Sequence, residues 1–311
     1  MRVLTVNAGS TSLKLHLVEH GHATSIAEFV DTDAVGHRVV HAGGRYTQPA
    51  VITADVVQEI DRMRVLAPLQ NGRTLDGIEQ ARAALPHATH VAVFDTGFHA
   101  TIPHEAATYA IPERWRKEFG IRRFGFHGIN VQWIASQIRV PRLVVCHLGG
   151  GCSVTAVRDG RSIDTTMGFT PLEGVPMATR SGSFDPGAML YLLRQGLVDL
   201  AELDNGLEHR AGIAGLSGGG SGDVRDASPL ALDVFTHRVA AAVGSMAIAC
   251  QGVDHLAFTG GIGEHAADLR ERIVTRVRVL GDFEVSVVPA REELVIASET
   301  TKLLAPAHTF G

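Results

Sequence analysis

The sequence contains few cysteines and no long apolar run. Its three cysteines are an odd number without the spacing of a disulfide framework, which favours a reducing compartment over secretion. The most apolar run, residues 239–250, contains a glycine and a serine and is shorter than the roughly 20 residues that a membrane-spanning helix needs. The first residues follow a strand pattern and lack the charged and apolar regions of a signal peptide. We therefore expect a cytoplasmic protein that does not contact membranes.

Neither sign of charge dominates the chain. With 28 basic and 33 acidic side chains, the net charge is −5, which gives no support to nucleic-acid binding. His20 and His22 are the candidate pair for a metal among sixteen histidines, but neither HExxH nor a cysteine–histidine pairing accompanies them. The pattern therefore favours solvated turn histidines over a transition-metal site. A length of 311 residues is enough for two domains.

Two segments share a strand–turn–strand pattern with glycine in the turn. Residues 2–18 combine an apolar run, a polar turn after Asn7, and a strand that alternates apolar and polar residues. Residues 142–164 repeat this pattern around three consecutive glycines and add an Asp-Gly hairpin. Such a turn can bind phosphate through N–H and O–H donors with Lys14 nearby, although the first copy alone could equally be an ordinary polar hairpin. The repetition predicts two similar α/β domains with a nucleotide between them.

Three residues have side chains suited to binding or catalysis and lie within or beside a short apolar strand or between glycines. Arg38 lies within the apolar strand 35–40, where it either pairs with a carboxylate or points into a cleft towards an anion. Asp95 follows the buried strand 90–94, where α/β sheets bind ligands, or it simply caps a turn or helix. His127 lies between glycines that permit close backbone approach, so it is either a ligand contact or a core histidine.

The second half of the chain contains further loops with polar chemistry. Residues 165–185 form a long loop around Arg180, and loops of that length are usually functional or disordered; its apolar residues argue against disorder. Residues 212–226 are either a flexible linker or a loop that contacts a ribose and base. The turn at 260–263 follows a strand and is expected to place backbone N–H groups at the start of a helix from Ala266. Together these glycine-rich turns and basic residues predict phosphoryl transfer.

The periodicity also predicts the main helices and outer strands. Helices are expected over 51–64, 74–85 with Thr74 as cap, 130–138, 230–251 and from about 292, with a turn at 66–71. Asp185 and Pro186 are expected to cap and begin another helix. Strands are expected over 23–29 and 283–288.

In chain order, ten segments resemble the acetate kinase family of acyl-phosphate-forming kinases, in the actin, Hsp70 and sugar-kinase superfamily. They are NAGSTSLK, GHRVVHAGG, LAPL, VAVFDTGFH, IRRFGFHG, HLGGG, DTTMGFTPLEGVPMATRSG, SGDVRD, FTGGIGE and VVPAREELVIA, and they cover residue 1 to about 297. The resemblance implies an α/β fold of two ribonuclease H-like (actin-type ATPase) domains with a nucleotide cleft between them. It implies an N-terminal lobe of residues 1–97 plus about 291–311, a C-terminal lobe of residues 98–290, and a homodimer.

The resemblance also implies an activity, namely reversible ATP-dependent phosphorylation of a short-chain carboxylate by direct in-line transfer. Acetate or propionate is the expected acceptor; the alternatives are butyrate or another small acid, or a nucleotide-binding relative without catalysis. Because a carboxylate is already ionised at pH 7, attack on the γ-phosphate needs positioning and charge neutralisation more than a general base.

Matched position by position, the resemblance assigns roles to individual residues. Asp95 would orient the reacting groups, Arg38 would bind the carboxylate, and His127 and Arg180 would stabilise the transferring phosphoryl group. Asn7 and Glu292 would hold Mg²⁺ (or Mn²⁺). The acyl group would contact Val40, Leu69, Phe126 and Pro171. ATP and its phosphates would contact Ser10, Ser12, Lys14, His147, Gly149, Gly150, Gly151, Asp223, Val224, Arg225, Gly261, Ile262, Gly263, Glu264 and His265.

The chain departs from the family pattern in a few places. Gly150 replaces the asparagine of the family's HLGNG loop, Gln70 replaces the histidine that follows LAPL, and Ile129–Val131 replace the TSH that follows FHG. The span between the first hairpin and Arg38 is also shorter. These changes bear on rate, acyl-chain preference and phosphoryl donor.

Overall fold

The computed structural model describes residues 1–8 and 13–305, and for residues 68 and 69 only the backbone. The described strands are β1 (Val3–Ala8), β2 (Leu13–Glu19), β3 (His22–Ile26), β4 (Ala34–Val39), β5 (Ala50–Val51), β6 (Thr89–Phe94), β7 (Arg142–Leu148), β8 (Cys152–Arg158), β9 (Arg161–Thr165), β10 (His255–Thr259) and β11 (Glu284–Val287). The described helices are α1 (Ala54–Arg62), α2 (Pro68–Ala84), α3 (His104–Ala107), α4 (Glu113–Glu118), α5 (Gly128–Gln137), α6 (Pro186–Arg194), α7 (Leu200–His209), α8 (Gly212–Leu216), α9 (Pro229–Cys250), α10 (Gly260–His265), α11 (Ala267–Val277) and α12 (Glu292–Leu304). None of these helices combines the length and apolar composition needed to cross a membrane.

The chain divides into two compact units. Unit 1 comprises the described residues within Met1–Ala100, Phe126–Trp133 and Arg291–Gly311, and unit 2 comprises Thr101–Gly125 and Ile134–Ala290. The lobes expected from the sequence differ from these units chiefly in residues 126–133, which lie in unit 1. The N–H of Gly128 donates to the carbonyl of Asp95 at 2.9 Å, which attaches this segment to the end of β6.

Unit 1 is built on a six-stranded sheet in the order β3-β2-β1-β4-β6-β5. The first three strands are antiparallel, as the strand–turn–strand pattern predicts, and β1, β4 and β6 are parallel. Two clusters of buried apolar side chains flank the sheet: Leu4 and Val35 pack with Ala81 of α2, whereas Val93 packs with Ile296 of α12. With both faces covered, the carboxyl ends of the parallel strands form the edge where ligands bind in α/β sheets.

Unit 2 repeats this topology in a five-stranded sheet of order β11-β10-β7-β8-β9. Here β7, β8 and β9 are antiparallel, and β7, β10 and β11 are parallel. The long helix α9 packs against β7 and β8. Its start is capped by Ser228, whose Oγ accepts from Ala231 N at 3.2 Å, with Pro229 as first helical residue. The predicted helix over 230–251 is thus confirmed.

Three local predictions are wrong. The turn expected at 66–71 and the helix cap expected at Thr74 are not present, because α2 begins at Pro68, whose fixed φ suits a first helical turn. The loop expected over 212–226 contains α8 and a 3₁₀ turn at Val224–Asp226. The turn expected at 260–263 is itself helical, as α10, and α11 follows. The cap at Asp185 is confirmed, since its Oδ1 accepts from Gly187 N at 2.8 Å.

Candidate active site

Four predicted site residues meet at the sheet edge of unit 1. Asn7 lies near the end of β1, Arg38 on β4, Asp95 directly after β6, and Glu292 at the start of α12. Because β1, β4 and β6 are parallel neighbours in one sheet, their carboxyl ends bring the first three residues together. Helix α12, which packs on β1 and β4, adds the fourth.

Arg38 is the centre of this cluster. Its Nε and Nη2 donate to Asp95 Oδ2 at 3.0 and 2.6 Å, and its Nη1 donates to Glu292 Oε2 at 3.0 Å and lies 3.4 Å from Asn7 Oδ1. Of the two alternatives for this arginine, the structure shows the ion pair, with two carboxylates instead of one. The second N–H of Nη2 has no partner among the described residues, so the guanidinium keeps one donor for a further acceptor.

Burial and neighbouring charges shift the pKa values of Asp95 and Arg38 in this cluster for different reasons. Burial raises the pKa of Asp95 to about 6; Arg38 opposes this shift and Glu292 adds to it. Burial also disfavours the charged form of Arg38, but the two carboxylates together raise the pKa of the guanidinium. The asymmetry has a structural cause. Arg38 has two anionic partners, whereas Asp95 shares the positive charge of Arg38 with Glu292. In addition, Asp95 Oδ1 is buried without a hydrogen-bond partner among the described residues.

Asn7 and Glu292 offer the oxygen ligands that Mg²⁺ prefers. Asn7 Nδ2 donates to Glu292 Oε2 at 2.7 Å, so the amide and the carboxylate lie side by side. With both carboxylates ionised, Arg38, Asp95 and Glu292 sum to a charge of −1, which a divalent cation would offset. No group of three His, Cys, Asp or Glu side chains in residues 1–8 and 13–305 is placed to hold one ion. The donor set therefore fits a cation that keeps most of its ligands as water or phosphate.

His127 directly precedes α5 and has a φ of 60°, in the left-handed region that non-glycine residues seldom adopt. A Cβ at Gly128 would lie 2.2 Å from the carbonyl oxygen of Asp95. Only glycine therefore allows the chain after His127 to approach Asp95 this closely. The two predicted catalytic residues are thus held next to the same backbone contact.

Two buried residues that the sequence analysis did not single out support this arrangement. His99 Nε2 bonds the carbonyl of Phe126 at 2.9 Å, and burial lowers the pKa of His99 to about 4, so the neutral ring donates from this nitrogen. Asn71 Nδ2 donates to the carbonyls of His41 and Ile60 at 2.8 and 3.0 Å, and its Oδ1 accepts from His41 N. His99 ends the motif VAVFDTGFH and Asn71 follows LAPL by two positions, so proximity to these motifs was the signal that could have identified them.

The other predicted residues of unit 1 are less informative. Lys14 is exposed on β2 in register with Asn7. Val40 and Phe126 are buried. Ser10 and Ser12, and the side chain of Leu69, lie outside the described residues.

Two glycine-rich loops of unit 2 lie side by side. The first follows β7 and comprises Gly149–Gly151, and the second opens α10 after β10, the parallel neighbour of β7. Gly260 has a φ of 79°, and a Cβ there would lie 2.7 Å from the carbonyl oxygen of Leu148. A Cβ at Gly149 would lie 3.6 Å from Gly261 N. By contrast, a Cβ at Gly150 or Gly261 would meet nothing within 4 Å, so both loops have open space at these positions.

The remaining predicted residues of these loops differ in exposure. His147, on β7, is half-buried, whereas His265, the last residue of α10, is exposed. Ile262 and Gly263 lie within α10. Glu264 Oε1 accepts from Gly260 N at 3.1 Å and from Ala290 N at 3.0 Å, so this carboxylate holds two backbone segments of unit 2.

Arg180 lies on a segment that packs against the first glycine-rich loop. Ala178 N donates to the carbonyl of Gly150 at 3.4 Å, and a Cβ at Gly222 would lie 2.3 Å from the carbonyl oxygen of Ala178. The Arg180 guanidinium donates to the carbonyl of Pro171 at 2.8 Å and has no carboxylate within 4.0 Å among the described residues. Burial lowers its pKa, with Glu208 opposing the shift. Arg180 is therefore a largely uncompensated cation.

The predicted base-contacting turn packs near this segment. Asp223 accepts from Arg225 N and Nε, both at 2.9 Å, and hydrogen bonds from Arg225 lower the pKa of Asp223 to about 2. Val224 lies between them in a 3₁₀ turn. In unit 2 the structure thus brings together the two glycine-rich loops, the Arg180 segment and this turn.

Comparisons with known proteins identify the architecture. The sequence model of the Acetokinase family matches residues 20–305. Acetate kinase from Nostoc punctiforme is 43% identical over 284 residues, which cover 86% of this chain and 70% of that protein. Acetate kinase from Clostridium beijerinckii is 38% identical over a gapped alignment of 330 positions that spans 93% of this chain and 82% of that protein.

Solved structures agree with these sequence matches. A propionate kinase from Francisella tularensis subsp. tularensis superimposes with a TM-score of 0.88 at 32% identity, over 97% of this chain and 99% of that one. Porphyromonas gingivalis acetate kinase gives a TM-score of 0.86 at 28% identity, over 98% of this chain and 100% of that one. The predicted α/β class with two ribonuclease H-like domains is confirmed. The family match over most of the chain, together with these identities, shows that the chain belongs to the acetokinase family.

Proposed function

We propose that this chain transfers the γ-phosphoryl group of ATP to acetate or propionate and forms an acyl phosphate in a reversible reaction. Membership of the acetokinase family supports the phosphotransferase activity. The observation that carries the proposal is the Arg38 cluster, in which a guanidinium held by Asp95 and Glu292 keeps an open N–H donor. Arginine presents its donors in a planar fork that matches a carboxylate.

The acceptor carboxylate needs binding and orientation in this scheme more than deprotonation. Arg38 receives the carboxylate, while Asp95 sets the orientation of the guanidinium through Oδ2. The buried side chains of Val40 and Phe126 are suited to a short alkyl group, and Leu69 and Pro171 complete this proposed pocket by family resemblance. A small apolar pocket of this kind discriminates only modestly between acids that differ by one methylene.

His127 and Arg180 stabilise the phosphoryl group in flight. Charge on its three equatorial oxygens must be neutralised during transfer. The absence of a carboxylate partner for Arg180 in the described part of unit 2 leaves its positive charge available for these oxygens. The left-handed φ of His127 and the hydrogen bond from Gly128 N to Asp95 O fix the backbone that carries this ring, which lowers the reorganisation needed during the reaction.

Asn7 and Glu292 would hold Mg²⁺, or Mn²⁺, with ATP as the phosphoryl donor. When bound, the ion supplies charge neutralisation at the phosphate oxygens. Lys14, with Ser10 and Ser12, would contact the same phosphates. Asn7 and Glu292, which would hold the ion, are positioned by hydrogen bonds to each other and to Arg38.

The nucleotide is assigned to the loops of unit 2. The open space at Gly150 and Gly261 leaves room for phosphates beside backbone N–H groups. The remaining proposed contacts are His147, Gly149, Gly151, Asp223, Val224, Arg225, Ile262, Gly263, Glu264 and His265. We further propose a homodimer, by family resemblance, and a cytoplasmic location, which the three free cysteines support.

Trapping the product tests the activity directly. The protein is incubated with Mg-ATP, hydroxylamine and acetate, propionate or butyrate, and the acyl hydroxamate is measured. Acetate or propionate is expected to give the fastest formation. Faster formation with butyrate would move the assignment to a larger acid. ATP binding without hydroxamate from any acid would contradict the proposal and favour a non-catalytic nucleotide-binding protein.

A further inference from the structure

Unit 2 contains a cavity of about 720 Å³ that none of the residues assigned above lines. Small-molecule sites commonly have volumes of roughly 300–1,000 Å³, so this cavity is large enough for an organic ligand. Its walls come from one face of α9 and from parts of the segments 164–183 and 210–216, together with Arg123.

The face of α9 explains why there is space here. Arg238, Ala241, Ala242 and Ser245 are spaced as neighbours on one side of a helix, and all four line the cavity. Three of these residues are small. Longer side chains at 241, 242 and 245 would fill the volume that their Cβ atoms leave open.

Two of the basic residues in the wall have uncompensated charge. The exposed guanidinium groups of Arg210 and Arg238 make neither a hydrogen bond nor an ion pair with any described residue. The carboxylates of Asp164 and Glu173 also line the cavity, but they face Arg123. Arg123 Nη2 donates to Glu173 Oε1 at 3.0 Å, and its Nε lies 3.9 Å from Asp164 Oδ1. Arg123 thus offsets one of these two negative charges, and the three arginines and two carboxylates of the wall leave a net charge of +1.

The rest of the wall is mixed in character. Val175, Pro176, Leu216 and Met246 supply apolar surface, and serine hydroxyls supply polar contacts. We propose that this cavity binds an organic anion that combines a phosphate or carboxylate head, recognised by Arg210 and Arg238, with a compact apolar body. Such a ligand is distinct from the acyl and nucleotide substrates, because its site shares no residue with theirs.

The cavity wall is bonded directly to the segment that carries Arg180. Ala211 N donates to the carbonyl of Thr179 at 2.9 Å, and Ile213 N donates to that of Met177 at 2.9 Å. Gly212 packs so closely that a Cβ there would lie 2.7 Å from the carbonyl oxygen of Arg180. Occupancy of the cavity therefore alters the position of Arg180 and, with it, turnover. This regulatory part rests on the proposed function, whereas the binding part does not.

Calorimetric titration of the full chain tests the binding. Phenyl phosphate and phthalate are the anionic probes, and benzyl alcohol is the neutral comparator. At least one anion is expected to bind with a Kd of about 1 mM or below, corresponding to roughly −4 kcal/mol. Stronger binding of phenyl phosphate would identify the ligand as an organic phosphate, and stronger binding of phthalate would identify it as a dicarboxylate.

Three variants locate the site. The double variant R210E/R238E is expected to raise the Kd of the anion at least about tenfold, since each charged contact is lost. S245F keeps both arginines but fills the cavity, and is expected to weaken binding as strongly. R194E reverses an exposed arginine of unit 2 outside the cavity and should bind as the unaltered chain does. Circular dichroism establishes that each variant is folded.

Several results would overturn the site. They are no heat with either anion, equal binding of benzyl alcohol, or unchanged binding by the folded double variant, which would place the anion elsewhere. Regulation is read separately, as a change of at least about twofold in hydroxamate formation at a saturating anion concentration. Binding without this change would overturn the regulatory part alone. Absence of hydroxamate under every condition would count against the proposed function and leave the calorimetric result intact.

Discussion

The guanidinium of Arg38 directs both Nε and Nη2 at a single oxygen of Asp95, Oδ2, and leaves Oδ1 buried without a hydrogen-bond partner among the described residues. A carboxylate bonded on one side only is held in a defined orientation and still accepts a hydrogen bond on the other. This arrangement suits a residue that orients reacting groups. It also places a titratable group with a raised pKa next to the proposed acceptor site.

The pH dependence of Asp95 follows from its burial. With a pKa raised from 3.8 to about 6, the folded protein binds more protons than the unfolded chain across this interval. The free energy of unfolding without metal should therefore fall as pH rises from about 4 to 6, by roughly 1.4 kcal/mol per unit of pKa difference. A ¹³C NMR titration of the Asp95 carboxyl group measures its pKa directly.

The variant E292Q is expected to lower the pKa of Asp95, because it removes the neighbouring negative charge that helps to raise it. E293Q is the matched control, since Glu293 pairs with Arg291 and should leave the titration unchanged. A midpoint near 4 in the unaltered chain would show that Arg38 outweighs burial.

Arg180→Ala should separate activity from stability. The side chain is desolvated and has no carboxylate partner within 4.0 Å in the described residues, so its loss is expected to leave the Tm unchanged or slightly higher. The kcat for hydroxamate formation should fall by about 10²–10³, as for the loss of one transition-state donor. R194A, which removes an exposed arginine of unit 2, should change neither quantity. Near-normal kcat in R180A would rule out its role at the phosphoryl group.

Gly150→Asn restores the side chain that the family's loop carries. A Cβ at this position meets nothing within 4 Å, so the folded state should accept it with unchanged Tm. If the amide reaches a phosphate, the KM for ATP should fall severalfold, as expected from about 1 kcal/mol for one hydrogen bond.

The companion variant G260A tests the packing of the same loops, because it is expected to destabilise the protein whereas G150N is not. Its φ of 79° and the 2.7 Å approach of its Cβ to Leu148 O predict a loss of about 1–3 kcal/mol in unfolding free energy. Equal stability of G150N and G260A would show that these two loops do not pack as described.

Gly128→Ala should disturb Asp95 and His127 together. Its Cβ would lie 2.2 Å from Asp95 O, so the segment must shift, at an expected cost of about 1–3 kcal/mol in unfolding free energy. Hydroxamate formation should fall well beyond the fraction of protein that unfolds, because both catalytic residues adjoin this contact. G206A is the control: its Cβ meets nothing within 4 Å, and alanine in helix α7 should stabilise it by about 0.5–1 kcal/mol. A fully active and stable G128A would contradict the packing of this segment.

Some helix boundaries show the limits of pattern reading. The apolar periodicity and Ser-Pro start of α9 are local signals, and the predicted helix is present. The beginning of α2 was placed six residues too late, because Pro68 suits both a turn and a first helical turn and only the neighbouring structure distinguishes them. The short helices at 212–216 and 260–265 are rich in glycine, which is typical of loops, so their sequences predicted loops instead of helices.

Strand patterns in the sequence predicted the duplicated α/β topology, because alternation and turn residues are local properties. The ordered motifs carried the family resemblance, and that resemblance implied most of the candidate residues. The partners of Arg38 were not determined, since Asn7, Asp95 and Glu292 are far apart in the chain and meet only where three parallel strands end and α12 begins. The raised pKa of Asp95, the support from His99 and Asn71, and the cavity beside α9 likewise arose only from tertiary packing. Burial, desolvation and unfilled volume are properties of the assembled fold and are carried by no single segment.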